Sequence, residues 1–124
     1  MPAQNPEELH GLFADTLNAG RLDALVALYE PEASLVLQPG QLVTGTEAIR
    51  QALSAFLAMK PAITVETRKI LRAGDIALLY SKWTLSGTGP DGSPIRMAAQ
   101  GTEVARRQPD GTWRFVIDNP YAVE

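Results

Sequence analysis

Apolar residues recur at helical spacing along the first half of the chain and alternate at strand spacing along the second, with turn residues between the runs. Leu9, Leu12, Phe13 and Leu17 form one stripe. Ahead of them, Asn5 is a candidate cap, Pro6 suits the first helical position, and Glu7 and Glu8 face the positive end of the dipole. Asn18-Ala19-Gly20 ends that helix with a glycine tolerant of left-handed backbone. A second, short helix is predicted over 22–29, burying Leu22, Leu25, Val26 and Tyr29 and stopping ahead of Pro31. Ala33–Leu37 reads as a short strand closed by Pro39-Gly40, with a small return strand at Leu42-Val43. Thr44-Gly45-Thr46-Glu47 has the form of a capping box. The third helix runs from there to about Met59 on the face Ile49, Ala52, Leu53, Phe56 and Leu57, and Pro61 stops it.

From Ile63 the pattern is all strand. Ile63–Arg72 and Ile76–Ser86 join through Ala73-Gly74-Asp75, and Ile95–Arg107 follows the Gly87–Pro94 stretch. The turn Gln108-Pro109-Asp110-Gly111 folds the last strand, Thr112–Asn119, back on its predecessor. Helices followed by an antiparallel meander predict an α+β domain occupying residues 1–124. Strands of roughly ten residues in so small a domain must twist and curl. Three helices over the hollow side of a strongly bent antiparallel sheet leave a conical, barrel-like space, where a small-molecule pocket belongs.

The terminal hairpin places candidate chemistry. If Arg107 lies opposite Thr112, Glu103 pairs with Val116, and Glu103, Val116 and Asp118 share one face. Val104, Trp113, Phe115 and Ile117 then take the other face. Periodicity alone puts those large apolar residues on the core side, and a single bulge would reverse the faces.

Composition narrows the possible functions. The 124 residues carry a net charge of −3 with no basic run beyond Arg106-Arg107, which argues against nucleic acid as a partner. No cysteine is present, so disulfides, thiolate catalysis and zinc–thiolate sites are excluded. His10 is the only histidine, and without a second one a metal site is not expected. Neither a membrane-length apolar run nor a signal-peptide pattern is found, so a cytoplasmic location is expected. Gly87–Gly92 is glycine-rich but links two strands, so it is no phosphate loop.

Three stretches resemble the nuclear transport factor 2-like superfamily, in particular its SnoaL-like and ketosteroid-isomerase-like branches. They are Leu17–Tyr29, Gly45–Arg50, and Gly101–Val104 continuing through Asp110–Pro120. The resemblance implies a cystatin-like cone and a homodimer formed through the outer sheet face. That dimer would use the apolar face, so Trp113, Phe115, Ile117 and Val104 are assigned outward here. Laid on a ketosteroid isomerase, the oxyanion tyrosine falls on Phe13 and the base aspartate on Leu37, neither of which can act. The protonated acid falls on Glu103, which can.

The candidate catalytic residues are Glu103 and Asp118. For Glu103 the competing reading is a surface bridge to Arg107 or Arg114, and for Asp118 a strand end in turn chemistry. The ligand-binding candidates are Phe13, Tyr29, Leu37, Leu53, Phe56, Trp83, Val116 and Asn119. Trp83, whose single indole donor suits a pocket wall, reads more readily as plain core. His10, with only Glu7 near it in helical register, reads as a surface residue. The expected function is SnoaL-like acid–base chemistry of isomerase, lyase, cyclase or hydratase type on a small apolar or aromatic molecule, with no cofactor or metal. The alternative is a non-catalytic homodimeric domain holding a small apolar metabolite.

Overall fold

The computed structural model describes residues 2–121. A single 3-10 turn, Pro6–Glu8, leads into α1 (Leu9–Asn18), followed by α2 (Leu22–Val26), β1 (Tyr29–Gln38), β2 (Gln41–Thr44), α3 (Thr46–Leu57), β3 (Ala62–Ala73), β4 (Ile76–Thr88), β5 (Pro94–Arg107) and β6 (Trp113–Asn119). The strands form one curved, unclosed sheet in the order β2-β1-β6-β5-β4-β3. All neighbours are antiparallel except β1 and β6, which run parallel. α1 packs on β3 and α3 on β1, so the helices cover the concave side. The core between the layers holds Leu9, Leu17, Leu25, Ile49, Leu79, Trp113 and Phe115.

Three local expectations are corrected. The second helix ends at Val26, and Tyr29 opens a strand. The amide of Phe115 bonds the Leu28 carbonyl at 2.7 Å and draws the chain into the sheet. Pro31, which lacks an amide hydrogen, falls in the gap between the Tyr29 and Ser34 pairings with β6, so it interrupts a strand and does not end a helix. The capping box at Thr44 does not form. Thr44 Oγ1 pairs with Ser34 Oγ across β1–β2, and Gly45, at φ 97°, makes the turn into α3 that a side chain would strain. Asn5 makes no side-chain cap, and the Gln4 amide is taken by Glu8 Oε1 at 2.8 Å.

The terminal hairpin is shifted twice from the expected register. Near the turn Arg107 lies opposite Trp113, and beyond a bulge at Val116, Glu103 lies opposite Asp118. Each one-residue shift moves side chains to the opposite face. The first turns Trp113 and Phe115 inward, where they are 2% and 1% exposed. The second turns Asp118 inward as well. The outward assignment of Trp113 and Phe115 is therefore wrong, whereas Ile117 is exposed and Val104, its cross-strand partner, is partly so.

Candidate active site

Glu103 and Asp118, direct partners on β5 and β6, stand side by side on the inner face of the sheet, 4% and 7% exposed. They form the floor of a cavity of about 310 Å³. Phe13, Tyr29, Leu37, Leu53, Phe56 and Trp83 all line it. Val116 and Asn119 do not. Val116 is the bulged residue, and Asn119 pairs with Thr102 while its Oδ1 accepts the Tyr121 amide at 3.1 Å. The surface reading of Glu103 is excluded, since it contacts neither Arg107 nor Arg114 and is buried.

The residue that sequence reasoning missed is His10. It is 4% exposed, on the same side of α1 as Phe13 and Leu17, and its Nε2 lies 2.5 Å from Glu103 Oε1. Its Nδ1 lies 2.7 Å from Thr67 Oγ1 on β3. With Glu103 ionised, Nε2 carries a proton and donates to it, and the Thr67 hydroxyl, which both donates and accepts, can serve Nδ1 whether or not that nitrogen is protonated. The available signal was a histidine on an apolar helix stripe, where burial demands a partner. That partner lies 93 residues away, beyond any helical spacing.

Two neighbours complete the floor. Ser81 Oγ donates to Glu103 Oε2 at 3.3 Å, and the Tyr29 hydroxyl donates to Asp118 Oδ2 at 2.5 Å. Gly101, two residues before Glu103 and opposite Ser81, leaves the room that the carboxylate occupies. A Cβ there would sit 2.6 Å from Glu103 Oε2 and 2.7 Å from Ser81 Oγ. The Phe115 ring packs beneath, with centroids 5.3 Å from Tyr29 and 6.4 Å from both His10 and Phe13.

This environment sets the protonation of the floor. Burial, and then the neighbouring Glu103 charge, push the Asp118 carboxyl up to about 7, against the opposing pull of the Tyr29 hydrogen bond and His10. Burial, and then the Asp118 charge, hold the Tyr29 hydroxyl well above its ordinary value, so it stays a donor. An acid that is half protonated near neutrality, beside a second carboxyl bonded to an imidazole, can give or take a proton at the end of an apolar space.

Comparison with known proteins agrees with this architecture. The chain resembles a ketosteroid isomerase-like protein from Erwinia carotovora atroseptica, with a TM-score of 0.79 and 17% identity over 90% of this chain and 88% of that one. It also resembles a protein of the NTF2-like family from Streptomyces avermitilis, with a TM-score of 0.78 and 17% identity over 95% of this chain and 94% of that one. A third similar structure is an uncharacterized protein with a cystatin-like fold from Caulobacter vibrioides, at 0.76 and 23% over 95% and 87%. These identities establish the fold and not a shared reaction. No curated protein matches the chain. The profile of the SnoaL-like domain matches residues 10–116, from the histidine on α1 to the bulge on β6, and the chain belongs to the SnoaL-like family within the NTF2-like superfamily.

Proposed function

We propose that the chain, as one SnoaL-like domain over residues 1–124, is an enzyme of isomerase, lyase, cyclase or hydratase type. Asp118 and the Glu103–His10 pair move a proton on a small apolar or aromatic molecule. The observation that carries this reading is the placement of Asp118, its Oδ2 held by Tyr29, beside Glu103 in the wall of a mostly apolar cavity. Phe13, Tyr29, Leu37, Leu53, Phe56 and Trp83 would hold the body of the molecule. Proton transfer between these groups needs no cofactor. A cytoplasmic setting is part of the proposal, and no described helix is long and apolar enough to cross a membrane.

A substrate-independent test uses 5-nitrobenzisoxazole, in which a base takes the ring C–H proton as the N–O bond breaks to a nitrile and a phenolate. Turnover above buffer should rise as Asp118 ionises through about pH 7. It should fall by about a hundredfold or more in Asp118→Asn. Equal turnover by the two proteins would refute the reading. The non-catalytic alternative draws support from Phe13 and Leu37, which stand where an isomerase of this superfamily needs a tyrosine and an aspartate.

We also propose a homodimer through the outer sheet face, on a basis different from the expected one. The register aligns Leu71, Leu78, Val104 and Ile117 in one row across β3, β4, β5 and β6. Leu71 is 47% and Ile117 43% exposed, which leaves an apolar band facing water. Ile117→Glu should leave the fold intact and shift the mass measured by sedimentation from dimer to monomer. A wild-type monomer at micromolar concentration would remove this proposal.

A further inference from the structure

Apart from one N–H of Gln38, the side-chain donors on the cavity wall are already committed. The Tyr29 hydroxyl goes to Asp118 and the Ser81 hydroxyl to Glu103, while the His10 nitrogens face Glu103 and Thr67. Trp83 Nε1 donates to the Pro120 carbonyl at 2.8 Å, and the Tyr121 hydroxyl to the Leu37 carbonyl at 3.3 Å. At the rim, Gln38 Nε2 is taken by Gln41. With Asp118 ionised, what remains for a ligand is chiefly acceptor capacity, above all at Asp118 Oδ1, which has no hydrogen-bond partner among the described residues although its side chain is more than nine-tenths buried. Among the described residues no lysine or arginine lines the cavity.

A carboxylate or phosphate brought to this floor would meet two acids and no free cation, which costs desolvation without compensation. A hydroxyl could donate one hydrogen bond to Asp118. An ammonium can donate, relieve the repulsion between the two adjacent acids, and lie against the negative faces of the aromatic wall. We propose that the ligand is a small amine with an aromatic or branched aliphatic body. Its protonated nitrogen donates to Asp118 Oδ1, and its apolar part lies against Phe13, Phe56 and Phe115. The inference rests on the acid–base reading of the same site.

The groups facing Asp118 are Tyr29 from β1, Glu103 from β5 and His10 from α1. An ammonium needs Asp118 ionised, so affinity should increase about tenfold between about pH 6 and pH 8, while the amine itself stays protonated. The test is calorimetric titration of the wild-type protein with benzylamine, benzyl alcohol and benzoate, which share one body. Benzylamine should bind at least about tenfold tighter than benzyl alcohol at pH 8, and benzoate weakest. Asp118→Asn should bring benzylamine down to the level of the alcohol. Should that variant not fold, the wild-type pH dependence decides alone. Benzoate matching benzylamine, or amine affinity flat or falling from pH 6 to pH 8, would overturn the proposal. If 5-nitrobenzisoxazole is turned over but benzylamine does not bind, the ligand class falls and the acid–base reading stands. If benzylamine binds with this pH dependence and no turnover is seen, the reverse holds.

Discussion

Trp113→Glu is expected to abolish the fold. The ring is 2% exposed on the concave side, its backbone amide bonds the Ala3 carbonyl at 2.9 Å, and the Arg72 guanidinium lies 4.8 Å from the ring centroid. Truncating a buried tryptophan costs about 3–5 kcal/mol, and an unpaired buried carboxylate adds several more. Arg72 offsets part of that charge cost but restores none of the lost packing. Against the 5–15 kcal/mol that holds a typical domain, roughly, the variant should be largely unfolded or insoluble. Trp113→Phe should lose much less. Urea unfolding followed by circular dichroism measures both. A folded Trp113→Glu protein with wild-type stability would put the ring on the outer face after all.

Glu103→Gln is expected to lower the Asp118 pKa, and Tyr29→Phe to raise it. Glu103 contributes the second-largest upward push on Asp118, after burial, so removing its charge lowers the value while burial keeps it above that of an ordinary aspartate. Tyr29 donates to Asp118 Oδ2, and losing that bond removes a stabiliser of the ionised form. The sign for stability follows from linkage. The folded-state pKa of about 7 exceeds the unfolded value, so folding favours the protonated acid. This group's contribution is complete below the unfolded aspartate value and is lost as pH rises through about 7. Glu103→Gln should move that loss to lower pH, and Tyr29→Phe to higher pH. The Asp118 carboxyl resonance, followed by NMR through each titration, measures the shift in both variants. Identical titrations in the two variants would show that Asp118 senses neither neighbour.

The helical stripes of α1 and α3 and the strand alternation, clearest in β4, carried the fold, because each records one buried face at a fixed period. What escaped is what period cannot encode. The bulge at Val116 adds one residue to β6, which lets Phe115 and Asp118 both face inward although they are three apart. With an unbroken period of two, one of them had to face out, and the expected dimer surface drew Trp113 and Phe115 to the wrong side. Glu103 and Asp118 shared a face under both registers, since two one-residue shifts restore the original parity. Val116 lost its place because it is the bulged residue, whereas Asn119, next to Asp118, belongs to the outer face in either register. His10 escaped for a different reason, because its partners come from β3 and β5 and only tertiary packing supplies them. Tyr29 was assigned to the cavity while placed on a helix. Its hydroxyl reaches Asp118 because the chain has already turned into β1.

The central claim is that two buried acids share one mostly apolar cavity and that one of them holds its proton near neutrality. Carboxyl carbon-13 NMR of the wild-type protein, with Asp118 assigned and followed from about pH 3 to pH 9, tests it most directly. The expected result is a midpoint near pH 7 for Asp118. A midpoint at the ordinary aspartate value of about 4 would contradict it and make Asp118 a solvated group with no part in proton transfer.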